Sequence, residues 1–203
     1  MPNRSHIASE LARLDRLAPQ GYFMGLHIRF AAPVVQFDTY AREWREHYEQ
    51  NAYALRDPII AWGFSASGAS RWSDLPVPDP FGILTEAAAF GLRYGVAVSA
   101  GPLKSRSIGG TARDDREFTD SEIEQISDII GRLHELTEPP ESLTKAQIEA
   151  LRCIAAGDRH AAAAASLGIT ESAFKARLIS VRERLNARTT AEALQKAKDY
   201  RLL

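Results

Sequence analysis

Tyr40, Trp44 and Tyr48 stand four residues apart, Asp57 follows nine residues after Tyr48, and Trp72 comes later in the chain. Two chemistries fit this set. In the first, the aromatics are core residues on one helix, and Asp57 is the N-cap of a second helix that begins at Pro58. In the second, the rings close a pocket. Buried phenol and indole groups each carry a polar end that needs a partner, and a carboxylate among them needs a donor. A small amphiphile with an amide N–H and carbonyl groups supplies both, with its hydrocarbon tail in the apolar part of the pocket. The residues by themselves leave both open.

A second set lies near the C-terminus. Phe174, Leu178, Val181 and Leu185 fall at i, i+4, i+7 and i+11, the apolar stripe of a helix. Turned through about 100° per residue, the opposite face carries Ser172, Ala173, Ala176, Ile179, Ser180 and Glu183. That face is mostly small. Lys175 and Arg182 flank it on one side, Arg177 and Arg184 on the other. A DNA major groove presents base edges on its floor and phosphates along its rims, so a small face between two basic flanks fits it. A solvated helix with basic residues for solubility gives the same pattern.

These residues need elements to hold them. Thr144-x-x-Gln147 and Thr189-x-x-Glu192 are capping boxes, and Thr170 caps the basic helix. Gly157 and Gly168 stand where helices end in a left-handed turn. Residues 143–203 therefore read as four helices, the second and third joined by Leu-Gly-Ile-Thr. Upstream, a helix is expected over 5–17 and a strand over 22–30, with His27 on its polar face. A helix is expected over 37–51 with Asp38 near its start, then a short helix from Pro58, a loop over 65–70, and a short strand or turn around Trp72. Asp79-Pro80 starts a helix running to Gly91. Strands over 94–101 and 105–113 form a hairpin, and Thr119-x-x-Glu122 caps a long helix through Leu133.

The fold class that follows is α+β. Residues 1–137 form an α-β-α sandwich with a central antiparallel sheet, 138–142 a proline-stiffened linker, and 143–203 an all-α four-helix domain.

Composition narrows the classes. The 203 residues carry a net charge of −1, but from Glu141 onward 11 Lys/Arg stand against 7 Asp/Glu, leaving an acidic N-terminal part. A basic module on an acidic one suits polyanion binding. The lone Cys153 forbids an internal disulfide and reads as a packed thiol. The start of the chain lacks the apolar core of a signal peptide, and no run is long enough for a membrane helix. A cytoplasmic protein with no membrane partner is expected. Metal-ligand clusters, a nucleophile elbow and a phosphate loop are absent from the sequence, so no enzyme, metal or cofactor is expected.

The C-terminal motifs (Leu151, Gly157, Leu167-Gly168-Ile169-Thr170-Glu171, Lys175, Leu178, Arg184-Leu185 and Thr190-x-Glu192-Ala193) resemble the helix-turn-helix DNA-binding domain of LuxR-type transcription regulators. The Tyr40–Trp44–Tyr48–Asp57-Pro58 spacing, with Trp72, Phe90-Gly91 and Gly95, resembles the autoinducer-binding domain of the same family. The resemblance implies a quorum-sensing regulator whose ligand is an N-acyl-homoserine lactone. It implies that Trp44 donates to the lactone carbonyl, Asp57 accepts from the amide N–H, and Tyr40 binds the acyl carbonyl. Tyr48 and Trp72 line the pocket, and Thr111 adds a hydroxyl contact. It implies double-stranded DNA as partner, with Thr170, Ser172, Lys175, Ala176, Arg177, Arg182 and Arg184 at the interface. It also implies a homodimer, because two-fold symmetric proteins read paired half-sites. Two features support another expectation. Ala161 to Ala165 replace a polar helix start, and the segment between Trp72 and Phe90 is short. They suit a ligand-independent member that acts by protein–protein interaction, as a heterodimer inhibitor of a full-length relative.

Overall fold

The computed structural model describes residues 2–28, 32–138, 143–200 and 202–203. The chain divides into two compact units, Met1–Glu138 and Pro139–Leu203. Most of the linker expected over 138–142 lies outside the described residues, as do the last two residues of the strand expected over 22–30.

The first unit opens with helix α1 (Pro2–Leu17) and strand β1 (Tyr22–Ile28). Strand β2 (Val35–Asp38), helix α2 (Arg42–Gln50), helix α3 (Pro58–Ser65) and strand β3 (Gly68–Arg71) follow. Helix α4 (Ile83–Ala89), strands β4 (Tyr94–Ala100) and β5 (Arg106–Arg113), and helix α5 (Asp120–Leu136) complete it. The five strands form one sheet in the order β2-β1-β5-β4-β3, every neighbour antiparallel. This is the α-β-α sandwich expected.

Alternation along the central strands sorts the core into two layers. Met24, Leu26, Val96 and Val98 join Ile126, Ile129, Ile130 and Leu133 in one fully buried cluster under α1 and α5. Ala97 and Ala112 face the other way, into a cluster with Tyr40, Trp44, Trp62 and Trp72. Glycine sets both distances. A Cβ on Gly109 would stand 3.0 Å from Ile130 and 3.1 Å from Met24, so α5 lies close on β5. A Cβ on Gly95 would fall 2.1–2.6 Å from the Trp72 ring, which therefore lies flat on β4.

The caps form as their sequences dictate. Asp57 caps α3 with Pro58 in its first turn, and Thr119 and Glu122 close a full capping box on α5. Three expectations fail. The helix expected over 37–51 begins only at Arg42; residues 35–38 are β2, paired with β1 so that Val35 and Phe37 pack against the α1/α5 core. Asp38 makes the break by accepting from the Tyr40 N–H at 3.1 Å, a local turn that competes with helix. Half of the loop expected over 65–70 is edge strand β3. The helix expected from Asp79-Pro80 starts at Ile83, because the Asp79 carboxylate reaches forward to the Ile83 and Leu84 N–H groups at 3.0 and 2.8 Å.

The second unit contains α6 (Lys145–Ala155), α7 (His160–Ser166), α8 (Glu171–Arg184) and α9 (Thr190–Asp199). Thr144 and Gln147 complete a capping box on α6, and Thr170 caps α8. At the Thr189 cap, Glu192 accepts from the Arg188 N–H, one residue before the position expected. Gly157 and Gly168 turn the chain at φ +86° and +64°. One core cluster is Ala150, Ala163, Ala164, Phe174 and Leu178, with half-buried Cys153 against it; Leu151, Val181, Leu185, Ala193 and Ala197 are buried as well. Among the described residues no helix is long and apolar enough to cross a membrane.

Candidate functional site

The site grows from the cap of α3. Asp57 is 8% exposed. Its Oδ1 accepts from the Ile59 N–H and its Oδ2 from the Tyr48 hydroxyl, both at 2.7 Å. Both donors are neutral, and burial pushes the Asp57 carboxyl above the usual range in spite of them. Burial and the neighbouring carboxylate drive the Tyr48 phenol far up as well. Burial does the same to Tyr40. Both phenols keep their protons and remain hydrogen-bond donors.

Tyr40 precedes α2 rather than riding on it, because the turn at Asp38 intervenes. Its hydroxyl donates to the Gly110 carbonyl at 2.8 Å. A Cβ on Gly110 would meet that hydroxyl at 3.4 Å, and Ile59 and the Trp72 ring at 3.7 Å. Tyr40, Trp72 and the first turn of α3 thus converge on one strand position. Trp44 is buried on α2 among Tyr48, Tyr53, His47 and Phe90, ring centres 5.4–6.3 Å apart. The Trp72 indole N–H is buried and has no partner among the described residues. An orphaned buried donor is costly, and a ligand oxygen satisfies it.

Thr111 does not join this group. Gly110 and Ala112 face the aromatic layer, whereas Gly109 faces Ile130 and Met24, so alternation turns Thr111 to the α1/α5 side. Its partners in register are Tyr22 and Val96, both in that core. The hydroxyl expected to contact ligand is buried in the opposite layer, without a partner among the described residues.

Three residues beside Trp44 were not anticipated in their roles. Tyr53 donates to Glu86 at 2.5 Å, and the same carboxylate oxygen lies 2.7 Å from His47 Nε2. These two hydrogen bonds, Tyr53 first, hold the Glu86 carboxyl below its ordinary range. His47 falls three residues after Trp44, a helical neighbour by spacing, but nothing in the sequence ties it to Glu86.

On α8 the apolar stripe is inward: Phe174, Leu178, Val181 and, just beyond the helix, Leu185 are buried. Thr170 is spent as the cap, accepting from the Ala173 N–H at 3.2 Å. Ser172, Ala176 and Ile179 are exposed. Ser180 accepts from the buried Gln147 side chain at 3.0 Å, which ties α6 to α8. Lys175 pairs with Glu171 at 2.6 Å, an exposed bridge of little energetic weight. Arg177 and Arg182 are half-buried, Arg182 with its Nε unpartnered, and Arg184 is exposed.

The first unit matches the family model for the autoinducer binding domain over residues 21–134. The transcriptional activator protein SolR of Ralstonia nicotianae is 32% identical over 95 residues, 46% of this chain. That match spans 40% of SolR's own length. In fold the chain is similar to SdiA in complex with octanoyl-rac-glycerol, with a TM-score of 0.53 at 18% identity, covering 97% of this chain and 87% of that one. A second structure, SdiA of Escherichia coli, gives a TM-score of 0.52 at 20% identity over 97% and 91% of the two chains. With the family's model matched over more than half of its length, the chain belongs to the autoinducer-binding-domain family of LuxR-type proteins.

Proposed function

We propose that the protein is a ligand-responsive transcription regulator whose first unit binds an acylated amphiphile, of which an N-acyl-homoserine lactone is the leading example. The observation that carries this is the buried polar set on the aromatic face: a carboxylate held by neutral donors and, on the same face, an indole N–H without a partner among the described residues. Asp57 offers remaining lone pairs to an amide N–H. Trp44, Tyr40 and Trp72 belong to the same aromatic cluster and would supply the ring surfaces for the carbonyl groups and tail. SdiA, of the same fold, holds an octanoyl glycerol, so acyl glycerols belong in the panel to be tested.

The test is a thermal-shift series with short, long and aryl acyl-homoserine lactones and octanoyl glycerol, on the wild type and Trp44→Phe. A bound ligand raises the melting temperature by mass action. The rise should shrink in Trp44→Phe, which keeps an aromatic ring and most of the apolar area but lacks the indole N–H. No shift with any of them would leave the ligand-independent role, inhibition of a relative by heterodimer formation, as the better account.

The second unit is proposed to read double-stranded DNA through α8, as a homodimer in which each copy meets one half-site. Ser172 and Ala176 form the small exposed face; Arg177, Arg182 and Arg184 supply cations, and Lys175 joins them by exchanging Glu171 for phosphate. Arg177→Ala and Lys175→Ala should each flatten the salt dependence of DNA binding by about one phosphate. Identical gel shifts across both variants would remove α8 from the interface.

A further inference from the structure

At the far end of the sheet from Asp57 lies a polar circuit that the ligand site does not use. His27 is fully buried at the end of β1, although alternation placed it on a polar face. A bulge between Gly25 and Ile28 makes the difference, and His27 takes φ +53°, a conformation that non-glycine residues seldom hold. Its ring stacks on His134, in the last turn of α5, with centres 4.3 Å apart and planes 28° from parallel.

Hydrogen-bond capacity fixes the protons. The His134 carbonyl can only accept, so the His27 Nε2 at 2.9 Å carries a hydrogen; the Thr137 hydroxyl lies 3.2 Å from the same nitrogen. His27 Nδ1 is then an acceptor for the Ser105 hydroxyl at 2.9 Å. The Ser107 hydroxyl accepts from the His27 backbone N–H at 3.0 Å and lies 2.8 Å from His134 Nδ1, to which it donates while that nitrogen is unprotonated. With both rings neutral, the His27 ring donor and the Ser105 and Ser107 hydroxyls each have an acceptor, and His134 carries its own hydrogen on Nε2. A proton added at either Nδ1 requires the facing serine hydroxyl to turn and give up its donor role.

We propose that the stacked His27–His134 pair is a proton-operated latch, holding the last turn of α5 on the sheet at neutral pH and releasing it in mild acid. The charges around His134 decide the balance. Arg106 of β5 opposes a further positive charge, and Glu135 and Glu138 of the α5 end favour one. His27 of β1 would become a stacked like charge if it too were protonated. The turn before β5 adds the Ser105 hydroxyl, while its Lys104 is exposed. Burial outweighs the two glutamates and holds the His134 imidazole below the usual histidine range. The sign follows: the folded state binds fewer protons than the unfolded one, so the latch's contribution is complete above about pH 6.5 and is lost as pH falls through the lowered folded value. Since the first unit ends at Glu138, the released turn is its last structured segment before the DNA-reading unit begins.

Hydrogen exchange on the intact chain tests this at about pH 7.5 and about pH 5.5. After correction for intrinsic rates, the amides of the last turn of α5 should exchange about tenfold faster at the lower pH, while those around Ile126 are unchanged. In His134→Gln, which keeps a polar side chain but cannot titrate, the two conditions should agree within about twofold. An NMR titration of the wild-type His134 ring gives a second measurement that needs no variant, with a midpoint expected below that of free histidine. A midpoint at or above the free value overturns the latch. So does an acceleration that is absent in the wild type or undiminished in His134→Gln.

Discussion

The two faces of the one sheet are built on different rules. Under α1 and α5 most residues are branched or long aliphatics, joined by Tyr22 and Phe118, and nearly all of the buried set is fully enclosed. Under α2, α3 and α4 the strands offer glycine and alanine, and the helices answer with tyrosine, tryptophan and a carboxylate. The first face is a close-packed interior whose stability comes from apolar area. The second contains a buried acid with a raised pKa and an orphaned donor, features that cost stability and that proteins keep where they bind something. β5 serves both in a single stretch: Gly109 and Thr111 toward α5, Gly110 and Ala112 toward the aromatics.

The contrast can be broken most forcefully from the aliphatic side. Ile130→Ala removes a fully buried side chain and should cost about 2–5 kcal/mol in urea unfolding, with ligand affinity of the surviving folded fraction unchanged. An equal loss of affinity would mean that the two faces are not separable.

Gly95→Val attacks the other side. Its Cβ enters the Trp72 ring, so the indole must move, at a stability cost of about 1–3 kcal/mol from overpacking. Here the ligand-induced thermal shift should disappear. A retained shift would show that the seat of Trp72 on β4 is irrelevant to binding.

Asp57→Asn should separate stability from binding. Asparagine caps nearly as well as aspartate, so the unliganded protein should change by about 1 kcal/mol or less. Ligand binding should weaken by about 1.5–3 kcal/mol, the scale of a hydrogen bond to a charged group. The pH dependence carries the signature. The folded Asp57 pKa lies above its unfolded value of 3.8, so its favourable contribution is complete below 3.8 and is lost as pH rises through the folded value. Denaturation midpoints from about pH 4 to about pH 7 should show that downward slope in the wild type and lack it in Asp57→Asn. Parallel profiles would place the raised pKa elsewhere.

Thr111→Val is the smallest and sharpest test. It deletes a buried unpaired hydroxyl on the α5 side, so stability should hold or rise by up to about 1 kcal/mol, and ligand binding should not change. Weakened binding would return Thr111 to the pocket.

What the sequence revealed divides along the range of the interactions. Thr119, Thr144, Thr170 and Asp57-Pro58 act on backbone groups two or three residues away, and their caps form where the sequence places them. Residues 35–38 carry two apolar positions that suit helix and strand alike, and only pairing with β1 decides between them. The sides of Gly109, Gly110 and Thr111 could not be told apart because two glycines erase the apolar alternation that marks a face. His27 misled for the reverse reason. The alternation was clear, but a bulge between Gly25 and Ile28 interrupts it and turns the ring inward. Spacing gathered Tyr40, Trp44, Tyr48 and Asp57 correctly into one neighbourhood, although Tyr40 reaches it from a turn.

The sheet's order leaves β2 and β3 at its borders, each only four residues long. A border strand carries unsatisfied N–H and C=O groups that can recruit a strand from another chain, and the hazard grows with its length. Arg71 in β3 is further drawn away, its guanidinium bonded to the Phe118 carbonyl and the Asp120 carboxylate. Such short borders give a foreign strand little to dock along. Edge-to-edge pairing with another chain is thereby disfavoured along both described borders, whatever the protein's state of occupancy.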